Sequence, residues 1–300
     1  MKENKSGTSA ILRDLSTQIG KSILMALPPV RRWRLRSPRT SNNLNEPDIY
    51  LRDSAFLGLN LLLAHAGADG VKAKSICEIG PGDFLSSGLS MLAAGAWQYT
   101  AIDRFPGNYY GKEAKRLYEE IAAEWSKYYP TIDWDKSIDV KSFPEGYESR
   151  IKLIAEPIEK VTLTTGFDIV CSFQVAEHVS DIDVFAEAHN RLLKKDGIGV
   201  HRVDLGPHDV WSEYRDPTTF LRFPSSVWGL TGSNRGIPNR RRHHEFLQAF
   251  DKANLDVEIL LTEHFDEEFI DYSKLDKQFL SMPKDSVLTK TAIYRLKRRS

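Results

Sequence analysis

Cysteine is scarce in this chain, which carries only two among its 300 residues. Two cysteines are too few for the disulfide framework of a small secreted domain. Cys77 and Cys171 both lie in short apolar, strand-like runs. We therefore expect two buried free thiols and a reducing compartment, the cytoplasm.

The sequence also lacks an excess of charge of either sign. Lys+Arg and Asp+Glu each number 41, so the formal net charge is zero. Proteins whose main task is to coat nucleic acid carry a basic excess, and we expect no nucleic-acid partner here. With 41% hydrophobic and 27% charged residues, most of the chain has the composition of a folded globular protein rather than of a disordered one.

Long apolar runs are missing as well. The longest, residues 57–68, is interrupted by Asn60 and His65 and falls short of the ~20 residues that a membrane-spanning helix needs. The N-terminal apolar run 23–30 contains two prolines and is followed, not preceded, by basic residues. That order is not the order of a secretory signal.

Residues 1–47 are predicted to form a solvated extension and linker with one helix near 10–27. The segment 37–47 is rich in Ser, Asn and Pro, which is typical of a linker. Ile23, Leu24 and Trp33 lie near a group of arginines, so the extension is expected to make at most a weak contact with a membrane surface.

From residue 48 onward, short apolar runs alternate with helical patterns. The seven predicted strands are residues 75–79, 98–102, 151–155, 167–173, 198–205, 255–261 and 289–296. Repeated strand–helix–strand units predict an α/β fold, a Rossmann-like, mostly parallel seven-stranded sheet with helices on both faces. Residues 48–300 are therefore expected to form one domain.

Two long insertions interrupt the alternation, at residues 104–150 and 206–242. The first contains an amphipathic helix, and the second is rich in aromatic residues, Pro, Gly and Arg. Ligands of such sheets bind beyond the carboxyl ends of the strands, and long loops inside a compact domain are usually functional or disordered. We expect both insertions to emerge at the ligand-binding edge.

The first predicted strand ends in a glycine turn, Glu78-Ile79-Gly80-Pro81-Gly82-Asp83. Its two carboxylates would repel a pyrophosphate, and Leu85 stands where a dinucleotide site has its third glycine. The carboxylates of Glu78 and Asp83 suit a ligand with a positively charged end, such as S-adenosylmethionine. Asp103 follows 25 residues after Glu78, at the end of the second strand, where an acidic side chain accepts hydrogen bonds from ribose hydroxyls.

At these motifs the sequence resembles the class I S-adenosylmethionine-dependent methyltransferases. The resemblance spans roughly residues 50–296 and departs from the family at Phe84, where many members have a third glycine. The motifs that carry it are Cys77-Glu78-Ile79-Gly80-Pro81-Gly82-Asp83, Ala101-Ile102-Asp103, Phe167-Asp168-Ile169-Val170-Cys171-Ser172, Ala176-Glu177-His178-Val179 and Leu192-Leu193-Lys194-Lys195-Asp196-Gly197.

This resemblance implies S-adenosylmethionine as cofactor and a set of cofactor-binding residues. Those assigned are Glu78, Gly80, Pro81 and Gly82 for the methionine half, Asp103 for the ribose, Ile158 for adenine, and Ser172 and Phe173 for the sulfonium side, with Gln174 near the same pocket. In the family the role of the Glu177-His178 pair varies, and the pair is also expected simply to order the turn after the fourth strand.

Transfer to a hydroxyl acceptor needs a base, and histidine is suited to that role near neutral pH. His201, Asp204 and His208 cluster at the end of the fifth strand and are the predicted catalytic residues. His201 and Asp204 would face opposite sides of a regular strand, so a bend would have to reunite them. The same three residues also form a candidate metal site, but their spacing matches no standard motif, and no metal is predicted.

The lower half of the chain carries the pattern His201…Asp204…His208, then Phe220-Leu221-Arg222-Phe223…Trp228, then Asn239-Arg240-Arg241-Arg242 before a helix. With this pattern the sequence resembles a narrower group, methyltransferases of bacterial surface-polysaccharide and glycan biosynthesis. That likeness implies a saccharide acceptor. Arg222, Arg240 and Arg242 are the predicted substrate-binding residues, holding an anionic group. The aromatic residues predicted to stack on a sugar ring are Tyr214, Phe220, Phe223 and Trp228.

Taken together, the sequence predicts an O-methyltransferase of a small molecule such as a saccharide or glycan precursor. A nicotinamide-dependent dehydrogenase is the alternative enzyme, disfavoured by the acidic turn. The non-enzymatic alternative is a methyltransferase-like scaffold that binds cofactor or a partner without turnover. It is disfavoured because the glycine turn and Asp103 are intact.

Overall fold

The structure is a computed structural model, and it describes residues 5, 7–30, 47–67, 69–163, 166–232 and 237–299. Its centre is one seven-stranded sheet. The strands are β1 Ser75–Ile79, β2 Gln98–Ile102, β3 Ile151–Ile154, β4 Phe167–Phe173, β5 Leu193–Asp204, β6 Leu255–His264 and β7 Thr289–Arg298.

The sheet has the order β3-β2-β1-β4-β5-β7-β6. Neighbouring strands are parallel from β3 to β5, and β7 runs antiparallel to both β5 and β6. The predicted seven-stranded, mostly parallel sheet is confirmed. Because the chain direction across the sheet reverses between β1 and β4, the switch point at which such folds bind ligands lies at the carboxyl ends of these two strands.

Helices cover both faces of this sheet. The α-helices of the described residues are α1 Thr8–Ala26, α2 Pro47–Tyr50, α3 Leu57–His65, α4 Ser86–Ala93, α5 Lys112–Tyr128, α6 Ile182–Leu192, α7 Ser225–Leu230, α8 His243–Lys252, α9 Lys277–Leu280 and α10 Lys284–Leu288, with a π-helical turn at Leu51–Ala55. Short 3-10 turns lie at Ile158–Lys160, Ala176–His178, Asp209–Glu213, Thr219–Arg222, Glu267–Phe269 and Tyr272–Lys274.

Two apolar layers follow from this arrangement. On one face α3, α4 and α5 pack around residues such as Phe56, Leu89 and Tyr118. On the other face α6 and α8 pack through Phe185 and Phe246. The amphipathic stripe predicted within the first insertion is the buried face of α5, so this part of the insertion belongs to the core. Both cysteines are buried and free, as predicted.

The N-terminal extension differs from its prediction. The helix near 10–27 is present as α1, but it is not a solvated arm. Asp14 accepts hydrogen bonds from Lys5 Nζ at 3.1 Å and from the Tyr214 hydroxyl at 2.8 Å, and Lys5 pairs with Tyr214 through a parallel β-bridge. The segment therefore docks on the second insertion, since Asp14 supplies an acceptor that the Tyr214 hydroxyl needs.

The outer side of α1 keeps its apolar character. Ile23 and Leu24 are 64% and 53% exposed. The other part of the predicted surface contact, Trp33 and its neighbouring arginines, lies outside the described residues. In the ranges that the structure covers, no helix is both long enough and apolar enough to cross a membrane.

The second insertion has a core of its own, which we call the insertion cluster. It joins residues of the insertion to side chains from the α9–α10 region. Its buried members are Trp211, Tyr214, Phe220, Leu221, Phe223, Trp228, Leu275, Phe279 and Val287. This insertion is therefore a packed subassembly beside the sheet.

Candidate active site

A cavity of about 450 Å³ opens at the carboxyl ends of β1, β2 and β4. Its size is that of a small-molecule site. The residues that line it are Tyr50, Asp53, Ser54, Leu57, Glu78, Ile79, Gly80, Pro81, Gly82, Asp83, Phe84, Ser86, Ser87, Ile102, Asp103, Arg104, Phe105, Pro157, Ile158, Glu159, Phe173, Gln174, Val175, His178, Val179 and Ser180. The cavity thus occupies the switch point of the sheet.

The glycine turn after β1 forms one wall of the cavity. Gly80 and Gly82 have φ values of 73° and 80°, which glycine adopts without a steric penalty. A Cβ on Gly80 would lie 2.5 Å from a methyl of Val175, whereas one on Gly82 would meet no atom within 4 Å. Gly80 is therefore needed for close packing of the turn against the loop after β4.

Asp103, at the end of β2, is held in place by this turn. Its Oδ2 accepts a hydrogen bond from the Gly82 backbone N–H at 3.3 Å, and its Oδ1 accepts one from Phe105 at 2.6 Å. Two backbone donors fix the carboxylate in one orientation beside the cavity. That position is suited to accept hydrogen bonds from paired hydroxyls of a ligand.

Glu78 lines the cavity although its residue is only 3% exposed. Burial raises the pKa of its carboxyl to about 7, against the opposing effect of the Tyr99 hydroxyl, which donates to Oε2 at 2.5 Å. A buried carboxylate is stabilised by a cationic group that binds beside it. The wall of the cavity therefore favours a ligand with a positive end.

Of the eight predicted cofactor-binding residues, seven line the cavity: Glu78, Gly80, Pro81, Gly82, Asp103, Ile158 and Phe173. Ser172 does not fit this prediction, because successive side chains of a strand point to opposite faces. Phe173 reaches the cavity, whereas Ser172 is fully buried and pairs with His201.

His201 lies in the interior, where it is 0% exposed. Its Nδ1 is 2.8 Å from the Ser172 hydroxyl, and its Nε2 is 2.8 Å from Nε2 of His189 on α6. His189 in turn donates through Nδ1 to the carbonyl of Phe185 at 2.9 Å. This position corrects the predicted role of His201 as the base, since a group enclosed between β5 and α6 does not touch an acceptor in the cavity.

The charge state of this buried pair follows from the same contacts. Burial lowers the pKa of His189 to about 4 and holds the pKa of His201 well below its usual value. Both imidazoles are neutral at physiological pH. They act as packing and hydrogen-bonding groups.

Asp204 and His208 do come together, as the sequence predicts, beside the cavity wall. The His208 Nε2 is 3.7 Å from Asp204 Oδ2. The His208 ring also meets the ring of His178, with centroids 5.0 Å apart and planes at 79°, and His178 lines the cavity. We call Glu177, His178, Asp204 and His208 the histidine corner.

Glu177 forms the inner side of this corner. It is 2% exposed, and within the described residues neither carboxylate oxygen has a hydrogen-bond partner. Burial holds the pKa of this carboxyl well above its usual range. Donor atoms of Glu177, His178 and His208 all lie within 4.8 Å of one another, so these three side chains are close enough together to hold a metal ion.

Sequence reasoning missed one part of the cavity wall. Tyr50, Asp53, Ser54 and Leu57 all line the cavity. Their spacing of three, four and seven residues places them on one side of a helix, and that spacing was a usable signal. The π-helical turn Leu51–Ala55 lies within this stretch, and such turns are frequent at functional sites.

The turn after β4 carries a second missed feature. Gln174, which lines the cavity, has a φ of 60°, a conformation that is costly for a residue other than glycine. Its backbone N–H donates to the Arg202 carbonyl at 2.8 Å. Strained backbone of this kind clusters at binding sites.

A family model described as a methyltransferase domain matches residues 52–259. The match covers more than half of the chain. The chain belongs to this methyltransferase family. No curated protein sequence matches the chain. Family membership removes the dehydrogenase alternative.

Solved methyltransferase structures are similar to the chain at low sequence identity. An S-adenosylmethionine-dependent methyltransferase from Mesorhizobium loti is 14% identical, with 83% of this chain and 100% of the other covered and a TM-score of 0.47. The 1,6-didemethyltoxoflavin-N1-methyltransferase of Burkholderia thailandensis, solved with S-adenosylhomocysteine, is 12% identical, with 85% and 83% covered and a TM-score of 0.42. Likeness at this level concerns the fold and says nothing of the substrate.

The cofactor of this methyltransferase is S-adenosylmethionine, as the sequence predicts. The cavity fits it on its own geometry. The buried Glu78 carboxylate suits a cationic end, and the fixed Asp103 carboxylate suits vicinal hydroxyls. The open space over Gly82 lets a ligand approach the backbone closely.

The predicted substrate-binding arginines of the methyltransferase are structural. Arg242 is 0% exposed and donates to the carbonyls of Leu205, Ser286, Val287 and Thr289. Burial lowers the pKa of its guanidinium to about 10, which leaves it charged at neutral pH. Its donors are therefore directed at backbone carbonyls rather than at a bound anion.

Arg240 and Arg222 are likewise directed inward. Arg240 is 5% exposed, donates to the carbonyls of Phe220 and Phe223, and lies 4.8 Å from the centroid of the Trp228 ring. Arg222 donates to Asp216 Oδ2 at 2.5 Å. The prediction that these arginines bind substrate is not supported by their positions, because the donors that form hydrogen bonds are directed at internal acceptors.

The aromatic residues of the second insertion do not face the cofactor either. Those predicted to stack on a sugar belong to the insertion cluster and are at most 8% exposed: Tyr214, Phe220, Phe223 and Trp228. Among the residues that the structure describes, none between 206 and 242 lines the cavity. The expectation that this insertion forms the acceptor pocket is therefore corrected. Its contacts with residues of the cavity wall include that of His208 with His178 and that of Asn239 with the Val179 carbonyl.

Proposed function

We propose that this methyltransferase transfers a methyl group to a hydroxyl oxygen of a small molecule. The observation that carries the proposal is the histidine corner, which meets the cofactor cavity at His178. A hydroxyl acceptor must lose its proton when it is methylated. The corner brings two imidazoles and two carboxyl groups next to the cavity wall, where they can take up that proton.

Residues of the cavity divide the work of binding. Glu78 holds the ammonium end of the cofactor, Asp103 the ribose hydroxyls, and Ile158 one face of adenine. S-adenosylmethionine held by these residues would supply an electrophilic methyl group to the acceptor oxygen and would leave as S-adenosylhomocysteine. Phe173 and Gln174, at the end of β4, border the reacting side and orient it toward His178.

The wall formed by Tyr50, Asp53, Ser54 and Leu57 is the proposed acceptor side. It offers hydroxyl and carboxylate groups next to one apolar side chain. Saccharides and glycan precursors remain the first acceptors to test, as the narrower sequence resemblance favours. The hydrogen bonds to them come from this wall rather than from Arg222, Arg240 and Arg242. The two buried free thiols support a reducing compartment such as the cytoplasm.

The test combines binding with turnover. Calorimetry with S-adenosylhomocysteine measures the cofactor site, and transfer of labelled methyl groups is screened over sugars, nucleotide sugars and other hydroxylated small molecules. His178→Asn and His208→Ala should each lower turnover by ~10²–10⁴ while the Kd for S-adenosylhomocysteine stays unchanged. Imidazole at this corner contributes to proton removal and not to cofactor binding.

The matched control is His264→Ala, which removes an exposed histidine paired with Asp285 and should leave turnover unchanged. Full turnover in both corner variants would contradict the assignment of this corner. Tight binding of S-adenosylhomocysteine without transfer to any acceptor would favour the scaffold alternative.

A further inference from the structure

Glu177 is a buried carboxyl group with few hydrogen-bonding neighbours. Only 2% of the residue is exposed, and within the described ranges neither of its oxygens forms a regular hydrogen bond. Most buried polar atoms of folded proteins have a hydrogen-bond partner, and an unpaired buried carboxylate is costly. Protonation would not satisfy it, since a carboxylic O–H also needs an acceptor.

The groups that approach Glu177 include the two imidazoles of the histidine corner, the backbone N–H groups of Glu177 and Asp204, and the charges of Asp204 and Arg202. His178 Nε2 is 4.0 Å from Glu177 Oε1, and a donor atom of His208 lies within 4.8 Å of both. Metal–nitrogen and metal–oxygen bonds are about 2.0–2.2 Å long. A cation placed between the Glu177 oxygen and the His178 nitrogen therefore contacts both without a change of backbone.

Asp204 adds a fourth donor at the edge of this group. Its Oδ1 accepts a hydrogen bond from the Gly206 N–H at 2.8 Å, which leaves Oδ2 on the side of His208, 3.7 Å from Nε2. With these two atoms at bond lengths of about 2.0–2.2 Å from one cation, the angle between the two bonds is roughly 120–135°, wider than the tetrahedral angle. Within the described chain His208 Nε2 itself has no hydrogen-bond partner.

The backbone that carries Glu177 and His178 is held from outside. The Asn239 N–H donates to the Glu177 carbonyl at 2.6 Å, and its side-chain amide donates to the carbonyls of Ala176 and Val179 at 3.0 and 3.1 Å. Supporting hydrogen bonds of this kind orient metal ligands before the metal binds. The 3-10 turn Ala176–His178 is thus a fixed platform.

We propose that Glu177, His178 and His208, with Asp204 as an additional ligand, form a binding site for one divalent cation. Two imidazoles with carboxylates suit Mn²⁺, Fe²⁺, Co²⁺ or Zn²⁺, whereas Mg²⁺ prefers oxygen ligands and retained water. The cation lies at the cavity wall, since His178 lines it. The existence of the site does not depend on the proposed function.

Its role does rest on the proposed function. A divalent cation lowers the pKa of a hydroxyl or water that binds to it. An acceptor hydroxyl on this cation gives its proton to solvent and keeps its oxygen on the metal, and that oxygen then attacks the methyl carbon. In this arrangement His178 and His208 are ligands, and the cation makes the nucleophile.

The experiment measures binding of the metal without any acceptor. Full-length protein freed of metal by a chelator is titrated with Mn²⁺ by electron paramagnetic resonance and with Co²⁺ by visible absorption. We expect one equivalent to bind, and both Glu177→Gln and His208→Ala to weaken it at least ~100-fold, beyond the effect typical of a supporting residue. His264→Ala is the control and should bind as the unchanged protein does.

Calorimetry with S-adenosylhomocysteine establishes that each variant is folded. Absence of saturable Mn²⁺ and Co²⁺ binding would overturn the inference, and so would one equivalent that persists in both Glu177→Gln and His208→Ala. Site-specific metal binding without methyl transfer refutes the proposed function alone. Methyl transfer that resists the chelator, in a protein that binds no metal, refutes the metal site alone.

Discussion

The glycine turn after β1 and the second insertion were both predicted to bind ligands, but of the two regions only the turn lines the cavity in the part of the chain that the structure describes. The turn places Glu78, Gly80 and Gly82 on the cavity wall. The insertion places Arg240 and Arg242 inside the protein, against backbone carbonyls. A short motif tied to the end of a strand fixes where its side chains point, whereas a long segment rich in suitable residue types does not.

Arginine shows the reason most clearly. A guanidinium has five donors, and a loop that folds on itself leaves carbonyls that no strand or helix satisfies. Arg242 meets four of them from two chain segments, around Leu205 and around residues 286–289. The same chemistry that binds an external anion thus stabilises an internal corner.

The sharpest way to break the comparison is Arg242→Ala. Removing the guanidinium orphans several buried carbonyls at once, so we expect a loss of ~4 kcal/mol in the free energy of unfolding, measured by urea denaturation. Among molecules that remain folded, the Kd for S-adenosylhomocysteine should not change. The matched control is Arg241→Ala, whose side chain is 54% exposed and pairs with Glu245, with an expected loss of at most ~1 kcal/mol.

If Arg242→Ala kept its stability and instead raised the KM of an acceptor, the structural assignment would fail. The insertion would then bind substrate, as the sequence first predicted.

Asp103→Ala tests the other side of the comparison. Loss of charge-assisted hydrogen bonds to the ribose should weaken S-adenosylmethionine binding by ~1–3 kcal/mol, or ~5–150-fold in Kd by calorimetry. The control is Asp256→Ala, which should leave the Kd unchanged. Asp256 is an exposed residue of β6 whose carboxylate pairs with Arg299. An unaltered Kd in folded Asp103→Ala would remove Asp103 from the cofactor site.

The smallest expected effect is the pH dependence that Glu78 gives to cofactor binding. Its pKa is about 7 in the free protein, and the ammonium end of the cofactor binds the ionised form. Affinity should therefore fall ~10-fold between pH 8 and pH 6, as the carboxyl takes up its proton. Glu78→Gln should bind more weakly and show no such change, and a flat profile in the unchanged protein would contradict the prediction.

The same carboxyl affects the free protein in the opposite sense. Its pKa is raised from 4.5 in the unfolded chain to about 7 in the folded one, so folding takes up a proton between these values. Stability contributed by this group is present below pH 4.5 and is lost as pH rises through 7, by roughly 3 kcal/mol. The cofactor-free protein therefore carries a cost at neutral pH that binding of a cation relieves.

Much of the fold was predictable, because period and turn chemistry are local properties. The bounds of β1, β2 and β4 match the apolar runs seen in the sequence. β5 begins earlier than predicted, at Leu193, since the Asp196–Gly197 pair continues the strand instead of ending the helix before it. The antiparallel direction of β7 depends on tertiary pairing with β5 and β6, which no local pattern records.

The site was most predictable where its residues lie next to the end of a strand. Asp103 and the glycine turn follow their strands directly, and both line the cavity. The prediction of His201 as a base was wrong because the sequence does not show which face of β5 is covered by α6. His201 lies on that covered face and contacts His189 of α6. His208 was a predicted catalytic residue, but its contact with His178 was not predicted, because residue 208 meets residue 178 only when the ends of β4 and β5 lie side by side.

In the buried row of Ser172, His201 and His189, the donor and the acceptor of each hydrogen bond are fixed by one end of the row. The Phe185 carbonyl accepts and cannot donate, so His189 carries its hydrogen on Nδ1 and leaves Nε2 as a lone pair. His201 must then point its own hydrogen at His189, and Ser172 must point its hydroxyl hydrogen at His201. One carbonyl thus sets the polarity of three side chains in sequence, and β4 and β5 are joined by a row of oriented dipoles that carries no net charge.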